Sequence, residues 1–507
     1  MKPNKTLLLS SMALMSLGIA NAEKKPNILF IIVDDQDAAT LDVYGDTECD
    51  TPNIDALAKQ GMAFTGAYQM GSYTAAVSTA SRTMIMTGMS VAQAEHTKEA
   101  NRKAYKKPSY KKPFGNMDVV TPDKQEYNSL PAVFSRGGYE TFRTCKNGNS
   151  YYAANFLFDE RYDLTCRMGN DTKGSKWHAD HVVKYFETRK AKDEADKKPF
   201  LVYLGFSHPH DARNGKPELL EKYGAENVPV PTKLNDKLPK LPINWLPKKT
   251  FLHGDDDVRD EMKVPGVMDR RDEVTVRNEK GKEFACIENI DIQIGRVMEA
   301  LAATGELENT YIFFTSDHGI AVGRHSFMGK QNLYEHTFRV PFLVVGPDVA
   351  KNKKVVGNIY LSDVMPSLCD IAGIEYPDNL FGKSFKPVIE GKAKTMRDVM
   401  FGVYYGGSKP GIRCVKQGDW KLLKYDAYDG TVHETQLFNL KENPYELTIE
   451  HHAPEVIAKT GNTPKKNQVN LASDPKYKKK LAEMEALLLE QMIATDDPYR
   501  LWDQPKK

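Results

Sequence analysis

Three apolar runs in this chain end in residues that could do chemistry. The run at 28–33 closes in Asp34-Asp35, and the run at 311–314 closes in Ser316-Asp317-His318-Gly319. A third, at 200–204, leads into Ser207-His208-Pro209-His210. Adjacent carboxylates at the end of a buried strand repel each other and are costly to desolvate without a counter-charge. A divalent cation supplies one, and oxygen donors such as Asp34, Asp35 and Asp317 suit calcium or magnesium better than zinc. A lone Asp-Asp pair also reads as a solvated loop start or a helix cap; an Asp-His pair at a second strand end moves the balance towards a metal. A nucleophile is on offer as well. In Ser78-Thr79-Ala80-Ser81-Arg82, followed by Thr83-Met84-Ile85-Met86-Thr87-Gly88, a small hydroxyl stands one turn ahead of an arginine. At a helix N-terminus, free backbone N–H groups and the dipole favour an anion. Taken alone, Ser78 reads as an ordinary N-cap.

The elements that must position these groups are legible from periodicity. The runs at 28–33, 200–204, 311–314 and 340–345 are continuous and rich in β-branched residues, as in strands buried on both faces. Helical patterns lie between them, for example at 283–301, with Ala285, Ile287, Ile290, Ile294, Val297 and Leu301 on one side. The alternation predicts an α/β domain whose mainly parallel, mixed central sheet is flanked by helices. In such sheets ligands bind beyond the carboxyl ends of the strands, where the acids and histidines above fall. Past residue 395 the texture changes. Short strands at 399–405, 411–416, 419–425 and 435–440, separated by Gly-Gly, Gly-Asp and Asp-Gly turns, predict a smaller antiparallel sheet. A terminal helix at 475–493 carries Leu481, Met484, Leu487 and Leu488. The expected division is 1–22, 23–394 and 395–507, with long loops at 97–125 and 228–267.

Composition narrows the class. The 507 residues, 40% apolar and 27% charged, describe a globular chain too long for one simple core. Lys2 and Lys5, an apolar stretch at 7–19 and Ala20-Asn21-Ala22 form a secretory signal, so an exported, periplasmic or secreted protein is expected. No cysteine follows the cleavage site and no later apolar run is long enough to span a bilayer, so no membrane anchor is expected. Removal of residues 1–22 takes two lysines and no acid, leaving 68 basic and 68 acidic residues. A duplex nucleic-acid binder normally shows a basic excess, so that partner is disfavoured. The six cysteines are scattered, several within apolar segments, and no disulfide is assigned.

These landmarks together resemble the formylglycine-dependent sulfatases of the alkaline phosphatase superfamily. The resemblance covers most of the chain beyond residue 22. It runs through Asp34-Asp35, the Ser78–Gly88 signature, Pro209-His210, Thr315-Ser316-Asp317-His318-Gly319, Gly329-Lys330, Tyr334-Glu335 and Arg339-Val340-Pro341. It continues in Asp363-Val364-Met365-Pro366-Ser367 and Gly418-Asp419-Trp420-Lys421-Leu422. The family's nucleophile is a formylglycine made from Cys or Ser. Ser78 holds that position, and Ala80 stands where Cys-type members often have Pro, which resembles the Ser-type bacterial signature oxidised by a radical maturating enzyme before export. The resemblance implies that Asp34, Asp35, Asp317 and His318, with modified Ser78, hold calcium, magnesium being the alternative. It implies that Arg82 orients the nucleophile, that Lys330 and Lys146 neutralise sulfate, and that His210, assisted by His208, protonates the leaving alcohol. His325 falls in a Gly-x-His segment and reads as substrate contact or as structure. Many relatives carry Gly-Lys-Trp-His around the first lysine, whereas this chain reads Cys145-Lys146-Asn147-Gly148-Asn149 and lacks that histidine.

The implied substrate is a sulfated saccharide. Phe206-Ser207-His208-Pro209-His210-Asp211 resembles exported carbohydrate sulfatases, and an exo-acting enzyme on galactose or N-acetylgalactosamine 4-O-sulfate is the leading expectation. Trp177-His178 offers a sugar-stacking surface, or a structural aromatic pair. Lys98, Arg102, Lys103, Lys106, Lys107, Lys111 and Lys112, with Tyr105 and Tyr110 among them, read first as a solvated loop and second as a rim attracting polyanionic glycans. Two other readings stand beside the sulfatase. One is a phosphomonoester or phosphonate hydrolase of the same superfamily, the other a non-catalytic glycan-binding relative in which Ser78 is never oxidised.

Overall fold

A computed structural model describes residues 24–45, 48–98, 103, 124–228, 230–247, 266–405 and 409–506. Fifteen strands lie among them. In chain order they are β1 (Asn27–Asp34), β2 (Met62–Phe64), β3 (Ala67–Tyr68), β4 (Gly71–Ser72), β5 (Glu140–Cys145), β6 (Glu160–Asp163), β7 (Phe200–Pro209) and β8 (Thr310–Ser316). There follow β9 (Phe342–Val345), β10 (Lys353–Val355), β11 (Ile359–Tyr360), β12 (Val399–Tyr404), β13 (Gly411–Gln417), β14 (Trp420–Ala427) and β15 (Val432–Asn439).

The large sheet has eight strands in the order β10-β2-β9-β8-β1-β7-β5-β6. β1 lies at its heart, parallel to β7 on one side and β8 on the other. Only β9, antiparallel to both β8 and β2, runs against the rest, so the sheet is mixed but mainly parallel, as the sequence predicts. The continuous apolar run of β1 is explained by its two faces. Ile28, Phe30 and Ile32 enter one core with Leu130 and Phe134, while Leu29, Ile31 and Val33 enter the other with Val182, Phe186, Ile290 and Ile294. Helices therefore cover the sheet on both sides, and every side chain of β1 is buried.

The helix expected at 283–301 begins ten residues earlier and spans Glu273–Ala302. Its first turns have no apolar stripe, yet Glu279, Lys280 and Lys282 are buried. Ion pairs replace the stripe: Arg213 meets Glu279 at 3.2 Å, Lys282 meets Glu279 at 2.7 Å and Lys280 meets Glu48 at 3.0 Å. Hydrophobic periodicity cannot register a face held by charge.

The second sheet, in the order β15-β14-β13-β12-β4, is antiparallel apart from its last pair. The terminal helix, Lys478–Ala494, packs on it through Met484, Leu488 and Met492. The unexpected member is β4, from the other end of the chain, whose Gly71 and Ser72 pair in parallel with Val403 and Tyr404. Gly71 has φ +85°, and a Cβ there would lie 1.7 Å from the Val403 carbonyl oxygen, so only glycine permits this pairing. The chain then enters the Val77–Thr87 helix, which Gly88 stops in the left-handed region at φ 70°. All six cysteines are buried, and none is joined in a disulfide. No helix among the described residues is long and apolar enough to cross a membrane.

Candidate active site

Four parallel strands deliver their next residues to one point. β1 ends at Asp34 and is followed by Asp35, β5 is followed by Lys146, β7 by His210, and β8 by Asp317 and His318. Asp35 turns out of β1 at φ 69°, a conformation tolerated by Asp better than by most side chains. The turn is fixed from both sides: the Asp35 N–H donates to Asp317 Oδ1 at 3.2 Å, and the Asp317 N–H donates to the Val33 carbonyl at 3.2 Å. One donor atom from each of Asp34, Asp35, Asp317 and His318 lies within 4.8 Å of all the others, and all four residues are buried.

Ser78 comes to this cluster from the second position of its helix. The N-cap is Ala76, so Ser78 is not the cap that the isolated segment suggested. Its Oγ lies 3.0 Å from His318 Nε2 and 3.5 Å from Asp34 Oδ1. One turn on, Arg82 donates from Nε to Asp317 Oδ2 at 3.0 Å and from Nη1 to Cys145 Sγ at 2.9 Å, with Nη2 3.6 Å from Asp34 Oδ1. Lys146 Nζ donates to Asp34 Oδ1 and stands 3.8 Å from Asp317 Oδ2. Lys330 Nζ spans both oxygens of Asp35, at 2.9 and 2.7 Å.

His210 Nε2 lies 3.8 Å from Asp35 Oδ2, while Nδ1 is 2.6 Å from Asp211 Oδ1. Asp211 thereby fixes the ring orientation. Asp211, Cys145 and Arg167 are contacts that sequence reasoning missed. Asp211 was quoted only as the end of a motif, and Cys145 only as a neighbour of Lys146. Arg167, in the loop after β6, donates from Nη2 to Asp34 Oδ2 at 2.9 Å and sits in no recognisable spacing with the other site residues.

The electrostatics follow from burial and proximity. Burial pushes the Asp34 carboxyl up, but Lys146, His210, Arg167 and Arg82 outweigh it and hold the group well below the usual carboxylate range. Asp35 is likewise raised by burial and brought down to about 2, chiefly by His210, Lys330 and His318. Burial lowers Lys146 despite Asp34 beside it, and lowers His318 despite Asp317 and Asp35. His318 is thus neutral at pH 7, as a metal-ligating imidazole must be. Three carboxylates, an imidazole, a hydroxyl and several fixed cations can hold a hard dication and a bound oxyanion together.

Four other expected residues make their polar or ring contacts with groups outside the carboxylate cluster. His208 turns its Nδ1 to Ser175 Oγ at 3.2 Å, and burial lowers its pKa to about 4. Both nitrogens of His178 are engaged inside the protein, with Thr144 Oγ1 at 2.9 Å and Ser207 Oγ at 3.1 Å, which leaves nothing for a sugar. Trp177, half-buried, meets His178 and His181 in T-shaped contacts. His325, fully buried, stacks on Tyr334 at 4.0 Å with its Nε2 3.3 Å from the Tyr445 carbonyl. Of the basic run, only Lys98 and Lys103 are described. The rest of it and the expected signal segment lie outside the described residues.

Comparison with known proteins places this geometry. The sulfatase family model matches residues 26–374, and the model for the C-terminal region of N-sulphoglucosamine sulphohydrolase matches residues 323–484. An arylsulfatase of Clostridium perfringens is 26% identical, over 94% of this chain and 96% of its own. An N-acetylglucosamine-6-O-sulfatase of Bacteroides thetaiotaomicron is 25% identical, over 88% of this chain and 87% of its own. The solved structure of a 2-O GAG sulfatase superposes with a TM-score of 0.67 at 21% identity, covering 95% of this chain and 96% of that one.

Proposed function

The chain belongs to the sulfatase family and is a sulfuric ester hydrolase, and from that premise we propose that it desulfates a saccharide with an aldehyde nucleophile made from Ser78. One observation carries the reading: Ser78 Oγ lies 3.0 Å from His318 Nε2, inside the carboxylate cluster and one turn from Arg82. Calcium, or magnesium in its place, fits the donors, since Asp34, Asp35 and Asp317 offer carboxylate oxygens and His318 a ring nitrogen within 4.8 Å of one another. These four residues and modified Ser78 would hold the ion. When bound, it supplies charge that lowers the pKa of the nucleophilic hydroxyl and neutralises sulfate oxygens.

The remaining chemistry belongs to the chain. A radical maturating enzyme oxidises the Ser78 side chain before export, removing two hydrogens to leave an aldehyde. Hydration gives two geminal hydroxyls. Arg82, anchored by Asp317, orients one of them towards sulfur; as that S–O bond forms, the bond from sulfur to the sugar oxygen breaks. His210, its Nδ1 facing Asp211, gives its Nε2 proton to the departing alcohol. Lys146 and Lys330 hold the transferred sulfate. Loss of the proton from the second hydroxyl restores the C=O bond and expels sulfate. An unmodified serine would be left as a stable sulfate ester, which is why the oxidation matters.

The named activities of the relatives, on N-acetylglucosamine 6-O-sulfate and at a GAG 2-O position, support a saccharide substrate. Exo action on galactose or N-acetylgalactosamine 4-O-sulfate rests on the likeness of the Phe206–Asp211 segment to carbohydrate sulfatases. Residues 1–22 are proposed as the signal for export to the periplasm. Mass spectrometry of the peptide containing Ser78 tests the mechanism: active protein is expected to carry a side chain two hydrogens lighter than serine. Fully active protein with unmodified Ser78 refutes it. A panel of sulfated monosaccharides set against phosphate esters tests the substrate class, and phosphate release without sulfate release overturns it.

A further inference from the structure

Arg167 has no assigned role, yet it touches the heart of the site. Its guanidinium is held on three sides. Nε donates to the Ser207 carbonyl at 3.1 Å, Nη1 to the Asp211 carbonyl at 3.3 Å and Nη2 to Asp34 Oδ2 at 2.9 Å. The backbone that carries it is pinned too: the Cys166 N–H donates to Ser207 Oγ at 3.1 Å, and Asn214 Nδ2 donates to the Arg167 carbonyl at 3.2 Å. A guanidinium has five N–H donors, so one on each terminal nitrogen remains after these three bonds.

Two features separate Arg167 from the other cations of the cluster. The first is access. The side chains of Arg82 and Lys146 are each 1% exposed and that of Lys330 is 4% exposed, whereas Arg167 is 24% exposed. The second is position. Ser78, Arg82 and Lys146 all face Asp34 Oδ1, whereas Arg167 takes Oδ2, across the carboxylate from the nucleophile. An anion on its remaining N–H groups would therefore lie beside the group that Ser78 attacks, not on it.

Resting on the sulfatase reading above, we propose that Arg167 forms an accessory subsite for a second anionic group, a carboxylate or a further sulfate, on the same saccharide as the scissile sulfate. Such groups accept paired N–H donors from a guanidinium, and Arg167 is already oriented by its two carbonyl contacts, so little ordering is needed on binding. The subsite favours a doubly anionic sugar over a singly sulfated one.

The test is kcat/KM of the matured, calcium-loaded enzyme and of its Arg167→Gln and Arg167→Lys variants. The substrates are an aryl monosulfate, a singly sulfated sugar, a disulfated sugar and a sulfated uronic acid. Because Arg167 also touches Asp34, both variants are expected to lose some activity on every substrate. The decisive quantity is the ratio of the doubly to the singly anionic substrate, which should fall by about tenfold or more in Arg167→Gln, the size expected of one lost charged hydrogen bond, mainly through KM. Arg167→Lys should recover only part of that ratio. Whether the ratio falls for the disulfated sugar or for the uronic acid identifies the anion. An equal loss on all four substrates overturns the subsite and leaves Arg167 as a positioning residue for Asp34. Absence of sulfate release from all four by the matured enzyme with Arg167 in place would instead refute the sulfatase reading.

Discussion

Replacing Lys146 by methionine removes a charge from the cluster while keeping the side chain's length. Asp34 would then stay buried and ionised with one cation fewer. Removing one partner of a buried ion pair costs about 3–5 kcal/mol. Asp34 keeps Arg82 at 3.6 Å and Arg167 at 2.9 Å, so the low end, about 3 kcal/mol, is expected without metal. At about 2.1 cal/mol/K per residue, a chain of this size has an unfolding entropy near ~1 kcal/mol/K, so Tm should fall by about 3 °C. Calcium should narrow that gap, because the ion gives Asp34 back a counter-charge, and a ligand that binds only the folded state stabilises it. Activity should behave differently. Lys146 is proposed to stabilise charge on the transferring sulfate, and losing one such preorganised donor costs about 10²–10³ in rate, which calcium cannot restore. The assays are thermal unfolding in chelator and in calcium, and kcat/KM on an aryl sulfate at saturating calcium. A variant as stable as its parent in chelator, or one whose kcat/KM stays within a factor of about three, would refute the reasoning.

Three further outcomes are expected. His210→Ala should slow sugar sulfates by about 10²–10⁴ and nitrophenyl sulfate far less, because only the poorer leaving group needs a proton; equal losses on both would remove His210 from that role. Burial, helped by His181, holds His178 at about 3 against an ordinary 6.5, so as pH falls through that window the unfolded chain takes up the proton first and stability declines, while above pH 6.5 nothing is lost. His178→Gln keeps hydrogen-bonding capacity without the titration and should show a shallower dependence of Tm on pH between about 3 and 6.5; an unchanged slope contradicts the assignment. Gly71→Ala should destabilise by about 1–3 kcal/mol or more, as a strained φ of +85° and a clash with the Val403 carbonyl require, and should reduce activity although residue 71 contacts no site group. Normal urea unfolding in that variant would refute the pairing.

Much of the site was legible because its acids and histidines follow strands. Asp34, Asp35, Asp317, His318 and His210 each stand just past a run whose apolar character marks a strand buried on both faces, and parallel strands bring such ends together whatever their separation in the chain. The same logic reaches Lys146, although β5 alternates too little to announce itself: Thr141, Arg143 and Thr144 are buried polar residues within it. What escaped is what the tertiary fold alone creates. Arg167 follows a four-residue edge strand and meets Asp34 only because the loop after β6 folds back over β7. His178 stands near a motif, but a histidine with both ring nitrogens engaged inside a core looks the same in sequence as one awaiting a ligand. The opening turns of the Glu273–Ala302 helix were missed for a related reason, since their buried face is ionic.

The position of Ser78 is set by both sheets at once, and this bears on how the site is kept in register. The Val77–Thr87 helix sends Val77 and Met84 into the core shared with the second sheet, and Ile85 and Met86 into the core beneath the first. Upstream it is tied to β12 through Gly71 and Ser72; midway it is tied to β8 through Arg82 and Asp317. A reacting oxygen misplaced by about 1 Å can cost a hundredfold in rate. A helix fastened to only one sheet would let Ser78 drift with any shift between the two, while the carboxylates, all rooted in the first sheet, stayed still. Fastening it to both makes the distance from Ser78 to Asp34 and His318 a property of the whole fold. Substitutions in the second sheet, remote from every charged group of the site, should accordingly lower kcat more than they raise KM.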